Sequence, residues 1–508
     1  MHRSIRATFL ATQSDRQRKQ SMWVSASVLS LQVCPIRGLA KQEEGMEQSL
    51  VFDAELIRRY DRSGPRYTSY PSAVQFHEEF GAEHYADIAR KTNEHPHPRP
   101  LSLYFHIPFC ARVCFYCACN KYVTKNRVKA VPYLDHLYRE ITAEGQLFDP
   151  QRVVDQLHWG GGTPTFLNAA QMATLMRVTA EHFNLRDDDE GEYSIEIDPR
   201  EVALDTLPFL REIGFNRLSV GVQDFDLKVQ RAVNRLQSEE HTVAVIHEAR
   251  RSGFRSINID LIYGLPFQTV KRFARTLERV IAADPDRLSV FNYAHLPARF
   301  KPQRRINAAD LPEPAEKLAL LQLIIARLTE AGYVYIGMDH FAKPDDELAI
   351  AQRNGSLYRN FQGYSTHADC DLVAMGPTAI SAVGNSYSQN VRELEQYYQR
   401  IDNGELAVFR GFQLSEDDRL RQRIIRELIC HFKLDINAIE DQFGIDFGAY
   451  FATPLDTLRV MEADELLTLN RNALHVLPKG RLLIRNICMV FDRYLTPLSP
   501  TGRFSKVI

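Results

Sequence analysis

Residues 104–122 read YFHIPFCARVCFYCACNKY, and within them Cys110, Cys114 and Cys117 stand as C-x3-C-x2-C. The run leading into them, LSLYFHIPF, is apolar and reads as a buried strand. Three thiolates on so short a loop suit three irons of a cubane cluster and leave a fourth iron without a protein ligand. Such an open iron binds a small molecule directly, as an open metal position does at other catalytic sites. A strand end is also where barrel and α/β enzymes place their chemistry. The competing reading is a structural zinc site, which wants four protein ligands. Cys119 would have to be the fourth, at a cramped C-x-C spacing. Disulfides fit poorly with a large chain of few cysteines and no clear secretory context.

The rest of the composition narrows the class. The chain has 508 residues, enough for two or three domains, and is 44% hydrophobic and 25% charged, as ordinary globular proteins are. A formal net charge of −2 gives no global basic field for nucleic acid. No apolar stretch approaches a membrane span. Cys430 and Cys488 fall in helical apolar patterns and read as core residues, whereas Cys34 and Cys370 carry no partner signal. A reducing, cytoplasmic setting is expected. Up to Gln42 there are seven Lys and Arg but only one acidic residue, Asp15. This passage lacks the apolar core and cleavage site of a secretory signal. Residues 1–45 are expected to be a disordered or over-annotated extension, because Met46 opens a better-behaved sequence.

After residue 100 a strand and an amphipathic helix alternate. Strands are expected at 101–109, 156–159, 193–197, 217–222, 257–263 and 288–293. Helices are expected near 131–145, 171–183, 204–213, 241–251, 270–283 and 314–331. Six such units imply an α/β fold, an incomplete TIM-like (β/α)6 barrel of parallel strands with helices outside. An open barrel leaves room for a bulky ligand. From about Leu414 the pattern becomes helical, with Ser415 a plausible N-cap and LLTLNRNALHVLP a short hairpin. The domains expected are a barrel over 100–395, a small, mostly helical domain over 396–508, and a segment over 46–99 that covers the substrate.

The expected strand ends carry unusual motifs. Gly160-Gly161-Gly162-Thr163-Pro164-Thr165 lets backbone approach a ligand closely, or simply makes a tight turn. Glu196 sits where an unpaired carboxylate is costly, so it accepts bonds from a ligand or pairs with Arg200. Gln223 both donates and accepts, which suits a nucleoside or amino-acid moiety. Asp260 interrupts an apolar strand, and Arg235 is a candidate partner for it or for a ligand carboxylate. His106 and His295 read as hydrogen-bonded structural residues. All these motifs fall at one expected rim, which argues for a single site beside the cysteines.

The cysteine triplet followed by GGGTPT resembles the radical S-adenosylmethionine superfamily. The wider set includes LHWGGGTPTFL, SIEIDPRE, LSVGVQDF, AVNRLQ, NIDLIYGLPFQT, FNYAHLP, RNFQGYSTHADCDL, MGPTAIS and the upstream RRYDRSGPRYTSYPSAVQF. Together these are similar to the oxygen-independent coproporphyrinogen III oxidases over about residues 48–495. The resemblance implies a [4Fe–4S] cluster on Cys110, Cys114 and Cys117, whose open iron chelates S-adenosylmethionine. It further implies a 5′-deoxyadenosyl radical that attacks two propionates of coproporphyrinogen III, giving protoporphyrinogen IX. Two S-adenosylmethionine molecules are implied. Tyr104, Gly161, Glu196, Ala294 and Ile380 would contact the first, and Tyr116, Gly162, Thr163, Gln223, Arg235 and Asp260 the second. Catalytic roles are expected for Cys119 and Tyr104.

Two positions depart from the family pattern: Tyr116 stands for a usual Phe, and Pro377 for an aliphatic residue near Ile380. The partners implied are the porphyrinogen substrate and an electron donor such as flavodoxin or ferredoxin, with a monomeric chain and neither nucleic acid nor membrane. Arg66, Arg112, Lys121 and Lys125 are candidates for binding the substrate's propionates. The rival readings are a haem chaperone on the same radical core and a radical methyltransferase. Cys119 and the GPRYTSYP segment favour the oxidase over the chaperone.

Overall fold

The computed structural model describes residues 50–367 and 369–495. The expected extension over 1–45 and Cys34 lie outside the described residues. The described residues belong to one compact unit. Six strands form its centre: β1 (Leu101–Ile107), β2 (Val153–Gly161), β3 (Glu192–Ile197), β4 (Arg217–Gln223), β5 (Ser256–Tyr263) and β6 (Arg287–Asn292). Each pairs with the next in parallel. Their helices are α1 (Ala130–Gly145), α2 (Ala169–His182), α3 (Thr206–Glu212), α4 (Glu239–Arg251), α5 (Val270–Ala282) and α6 (Pro314–Glu330). All twelve elements lie close to their expected positions. A short helix, Leu227–Ala232, follows β4 where none was expected.

Both faces of a parallel sheet are covered, so its strands are apolar nearly throughout. In β1 every residue but Tyr104 is buried. Helix starts follow local chemistry as well. Asn168 opens α2 with a capping box completed by Gln171, and Ser238 caps α4.

The barrel does not close, because β1 and β6 pair outward instead of with each other. β7 (Val334–Gly337) and β8 (His340–Ala342) extend the β6 side as antiparallel strands. On the β1 side β9 (Asp371–Met375) is parallel, and β10 (Ile380–Val383), β11 (Ser386–Asn390) and β12 (Val408–Gln413) continue as a meander. The sequence reading assigns no strands over residues 332–413, where each strand is only three to six residues long. The expected boundary near residue 395 falls inside this sheet, and the helical part begins at Glu416. Ser415 caps that first helix in a capping box with Asp418, as expected of it. The expected hairpin forms from Leu467–Leu469 and Ala473–Val476, joined by a third strand, Lys433–Asp435.

The segment ahead of the barrel is anchored by side chains distant in sequence. The Tyr67 hydroxyl donates to Asp492 at 3.0 Å, Arg485 Nε donates to the Pro65 carbonyl at 3.0 Å, and Gln422 donates to the Tyr70 carbonyl at 3.2 Å. Two buried carboxylates on α1 knit the β1 side. Glu140 accepts from the Gly376 N–H, Asn390 Nδ2 and the Tyr397 hydroxyl, and Glu144 accepts from the Tyr85 hydroxyl at 2.7 Å.

Burial pushes the Glu144 carboxyl up to about 8, against the Tyr85 hydrogen bond. The native state therefore keeps a proton that the unfolded chain gives up near its ordinary value of 4.5. Stability from this site is present at low pH and is lost as pH rises through about 8. Glu144→Gln keeps an acceptor for Tyr85 without the titration. In thermal unfolding its advantage over the parent is expected to grow with pH from about 4.5 and to level off above about 8. A pH-independent difference would contradict this assignment.

Candidate active site

The cysteine loop leaves the C-terminal end of β1 and is held on all sides. Phe109–Cys110 pairs with Tyr122–Val123, and the Thr124 N–H returns to the Cys110 carbonyl at 2.9 Å. The Phe115 N–H donates to the Val233 carbonyl at 2.9 Å, and Asn234 Nδ2 donates to the Val113 carbonyl at 2.7 Å. Phe115 and Tyr116 pack with Val229, Val233, Leu265, Tyr293 and Ile306. The loop is thus wedged against the chain that follows β4, β5 and β6.

The glycines after β2 allow this approach. The Gly162 N–H donates to the Ile107 carbonyl at 2.8 Å. A Cβ on Gly162 would lie 2.7 Å from the Phe109 carbonyl oxygen. On Gly161, at φ +109°, it would lie 2.6 Å from the His106 ring. Close packing of β1 on β2 accounts for both residues.

Donors converge on the thiols. Thr163 Oγ1 stands 3.5 Å from Cys110 Sγ, while Arg200 Nη2 and Arg235 Nη1 each stand 3.4 Å from Cys114 Sγ. Asp198 holds both guanidinium groups, at 2.6 Å from Arg200 and 3.0 Å from Arg235. Burial works to raise the Asp198 carboxyl, and the two arginines outweigh it and hold it below its ordinary value. A bond from Cys119 brings the Cys117 thiol down to about 6, while burial pushes Cys110 up to about 12. Lys121 Nζ reaches the Cys117 and Cys119 carbonyls at 3.4 and 3.3 Å.

Cationic and hydroxyl donors surround the sulfurs, which fits thiolates that ligate the irons of a cluster.

Along the rim, strand register sets the remaining side chains. Tyr104 lies opposite His158 across β1 and β2, their rings stacked with centroids 5.8 Å apart. Glu196 faces them from β3, accepting from the Gly161 N–H at 3.1 Å and standing 3.4 Å from His158 Nε2. Burial raises the Glu196 carboxyl, but the His158 ring and the Gly161 N–H outweigh it and hold it low. Arg200, the alternative partner the sequence offered, is taken by Asp198. Asp260 accepts from Ser219 Oγ at 3.0 Å and Asn258 Nδ2 at 2.8 Å. Burial, with the Glu196 charge adding to it, pushes its carboxyl up to about 6. Of the two partners the sequence offered Arg235, Asp260 is not one it contacts. Arg235, only 6% exposed, is spent on Asp198, Cys114 and the Gly221 carbonyl, and its Nε has no partner.

Gln223 ends β4 at a register shift with φ +69°, a strained conformation of the kind found at ligand sites. Ala294 lies just past β6, half-buried. Ile380 stands level with Tyr104 through Ala374 of β9, and packs at the edge of the Phe76, Tyr387 and Leu414 cluster. His106 and His295 are hydrogen-bonded to Tyr104 and Tyr293, as expected. His158 and Asp198 escaped the sequence reading. The signal for both was polarity at a strand end, beside motifs that drew attention first.

A partial parallel barrel with a three-thiol loop after its first strand defines a radical S-adenosylmethionine enzyme, with a [4Fe–4S] cluster and S-adenosylmethionine. Residues 104–280 match the Radical SAM superfamily, and residues 414–483 match the HemN C-terminal domain. The chain is 56% identical to oxygen-independent coproporphyrinogen III oxidase of Pseudomonas aeruginosa, over 91% of this chain and all of that one. It is 53% identical to the Escherichia coli protein of the same name, over 91% of this chain and 99% of that one. The solved structure of coproporphyrinogen III oxidase (HemN) from Escherichia coli, described as a radical SAM enzyme, superposes with a TM-score of 0.84. That match has 53% identity and covers 88% of this chain and all of the other. The chain belongs to the family of oxygen-independent coproporphyrinogen III oxidases.

Gly162→Ala forces backbone apart between β2 and the cysteine loop. Cluster iron and visible absorbance after reconstitution are expected to fall severalfold while far-ultraviolet dichroism stays native.

Proposed function

We infer that this site converts two propionate side chains of coproporphyrinogen III into vinyl groups, giving protoporphyrinogen IX in porphyrin biosynthesis. The observation that carries the reading is the three-thiol loop, braced by Asp198, Arg200 and Arg235, within a chain matching coproporphyrinogen oxidases along their whole length. Bound there, the cluster and S-adenosylmethionine supply the radical chemistry. Each propionate gives up a hydrogen atom at its β-carbon, CO2 and one electron.

The residues' own tasks follow from their geometry. Cys110, Cys114 and Cys117 hold the cluster. Arg200 and Arg235 offset the negative charge of thiolate ligation, and Thr163 donates toward Cys110. Glu196, held ionised, accepts from an ammonium or from ribose hydroxyls. Tyr104 presents a ring beside it. Gly161, Ala294 and Ile380 complete the surface for one S-adenosylmethionine. Gln223, Asp260 and Arg235 supply donors and acceptors for a second, with Tyr116, Gly162 and Thr163 bordering it. A half-protonated Asp260 near pH 6 can donate as well as accept. Cys119, exposed and bonded to Cys117, is placed to exchange a proton or hydrogen atom with substrate.

For the substrate's carboxylates, three of the four cations expected from sequence are less available than one the sequence did not signal. Arg66 is paired with Asp339, Arg112 stands 3.8 Å from Glu201, and Lys121 is turned to loop carbonyls. Lys125 remains exposed. Arg359 is 8% exposed, yet its Nε and Nη1 lack hydrogen-bond partners. It lines a small cavity with Tyr67, Tyr70, Tyr387 and Arg426. A buried guanidinium with unused donors suits a propionate. The segment over 46–99 then acts as a cover, its residues 67–70 forming one wall of that cavity. The chain acts as a monomer, fed by a small reductase-type donor such as flavodoxin or ferredoxin.

The test is an anaerobic assay of reconstituted enzyme with dithionite, S-adenosylmethionine and coproporphyrinogen III. Substrate-dependent 5′-deoxyadenosine with protoporphyrin after oxidation is expected; cleavage without any porphyrin product would overturn the assignment. Cys119→Ser is expected to keep the cluster's absorbance and lose turnover. Arg359→Ala is expected to raise KM for the porphyrinogen by about tenfold or more, as loss of one charge-assisted contact does, and to leave cluster content unchanged.

A further inference from the structure

Far from the cysteine loop, at the opposite rim of the barrel, a second set of donors converges. Asp155 lies near the start of β2, and Cys370 immediately precedes β9, which runs parallel to β1. His367 is on the connection between the strand Gly363–Ser365 and β9. One donor atom from each of Asp155, His367 and Cys370 lies within 4.8 Å of the other two, and all three side chains are half-buried. A carboxylate, an imidazole and a thiol are the three side-chain types that ligate zinc.

The surroundings fit a cation. Asp369 and Asp371 flank Cys370 in the chain. Asp371 is already balanced by Arg152 at 2.6 Å. Arg186 fixes Asp155 from one side only, with Nη1 on Oδ1 at 2.8 Å, while its Nε and Nη2 are committed to Asp188. Oδ2 of Asp155 is left for another partner, in the way carboxylate ligands are commonly oriented by a second hydrogen bond. The connection is also pre-positioned. The His367 N–H and Gln156 Nε2 both donate to Ser365 Oγ, at 3.0 and 2.7 Å, and Thr366 Oγ1 donates to Glu192 at 3.2 Å.

We propose that Asp155, His367 and Cys370 form a zinc site joining the connection before β9 to the base of β2, with three protein ligands and solvent in the fourth position, the open coordination that distinguishes it from closed structural sites. Binding converts the Cys370 thiol to thiolate and releases its proton to solvent, with no change of oxidation state. The ion ties β9, a strand added at the open edge of the barrel, to the barrel itself.

Zinc and iron would be measured on enzyme whose cluster has been reconstituted first, then given one equivalent of Zn2+ and desalted. The expected result is one zinc per chain alongside undiminished cluster iron. The zinc absorption edge should show one sulfur at about 2.3 Å and nitrogen or oxygen neighbours at about 2.0–2.1 Å. Cys370→Ser and His367→Gln should each weaken zinc binding by about 100-fold or more and leave the iron unchanged, since even outer partners of a ligand are worth 10–100-fold. Three outcomes would overturn the site. One is a reconstituted parent enzyme that retains no zinc. Another is zinc held equally by both variants. The third is zinc with two or more sulfur neighbours accompanied by lost iron, which would place it on Cys110, Cys114 and Cys117.

Discussion

The contact on which the site depends is backbone against backbone: the Gly162 N–H on the Ile107 carbonyl, where β2 bends over the first residues of the cysteine loop. Nothing larger than hydrogen fits between them. The thiols therefore begin at a defined height above the rim, and the loop is pressed toward the chain following β4 and β6. Side chains could not substitute for this constraint, because it works by their absence.

Electrostatics builds on that placement. Asp198 gathers Arg200 and Arg235 beneath Cys114, so two positive charges face a sulfur that must be anionic to bind iron. A buried arginine pair alone would be costly, and the shared carboxylate lowers that cost. Across the rim Glu196 and Asp260 have been pushed apart in acidity. Glu196 is held low by an imidazole and an N–H, whereas Asp260 is raised by burial and by Glu196 itself. Two acidic groups on β3 and β5 thus offer different protonation states near pH 6, a common property of binding sites for mixed donors and acceptors.

Openness is the other structural theme. Because β1 and β6 pair outward, the barrel has a gap, and flanking strands and the C-terminal helices build the walls around it. The segment at 64–71 is anchored to Asp492, Arg485 and Gln422, more than 350 residues away in sequence. A wide porphyrinogen requires such a gap. The anchoring explains how a proline-rich segment without helix signals takes one conformation.

The six barrel strands and their helices were legible because each is a local pattern: an apolar run of strand length, then an amphipathic stretch with a cap. The cysteine loop, GGGTPT, Glu196 and Asp260 were legible as residues out of place in apolar strands. Pairings were not. Arg235 looked available for Asp260, and Arg200 for Glu196, until the fold gave both to Asp198. The strands between 334 and 413 are too short to show a period, and Arg359 looks like any surface arginine. The sequence by itself determined the chemistry at the strand ends and the class of fold, since both rest on residue type and local spacing. Only the tertiary structure decided which charges neutralise each other, which arginine stays unsatisfied, and that Asp155 meets His367 and Cys370. Most of those outcomes depend on contacts between segments distant in sequence, whose energies no local pattern encodes.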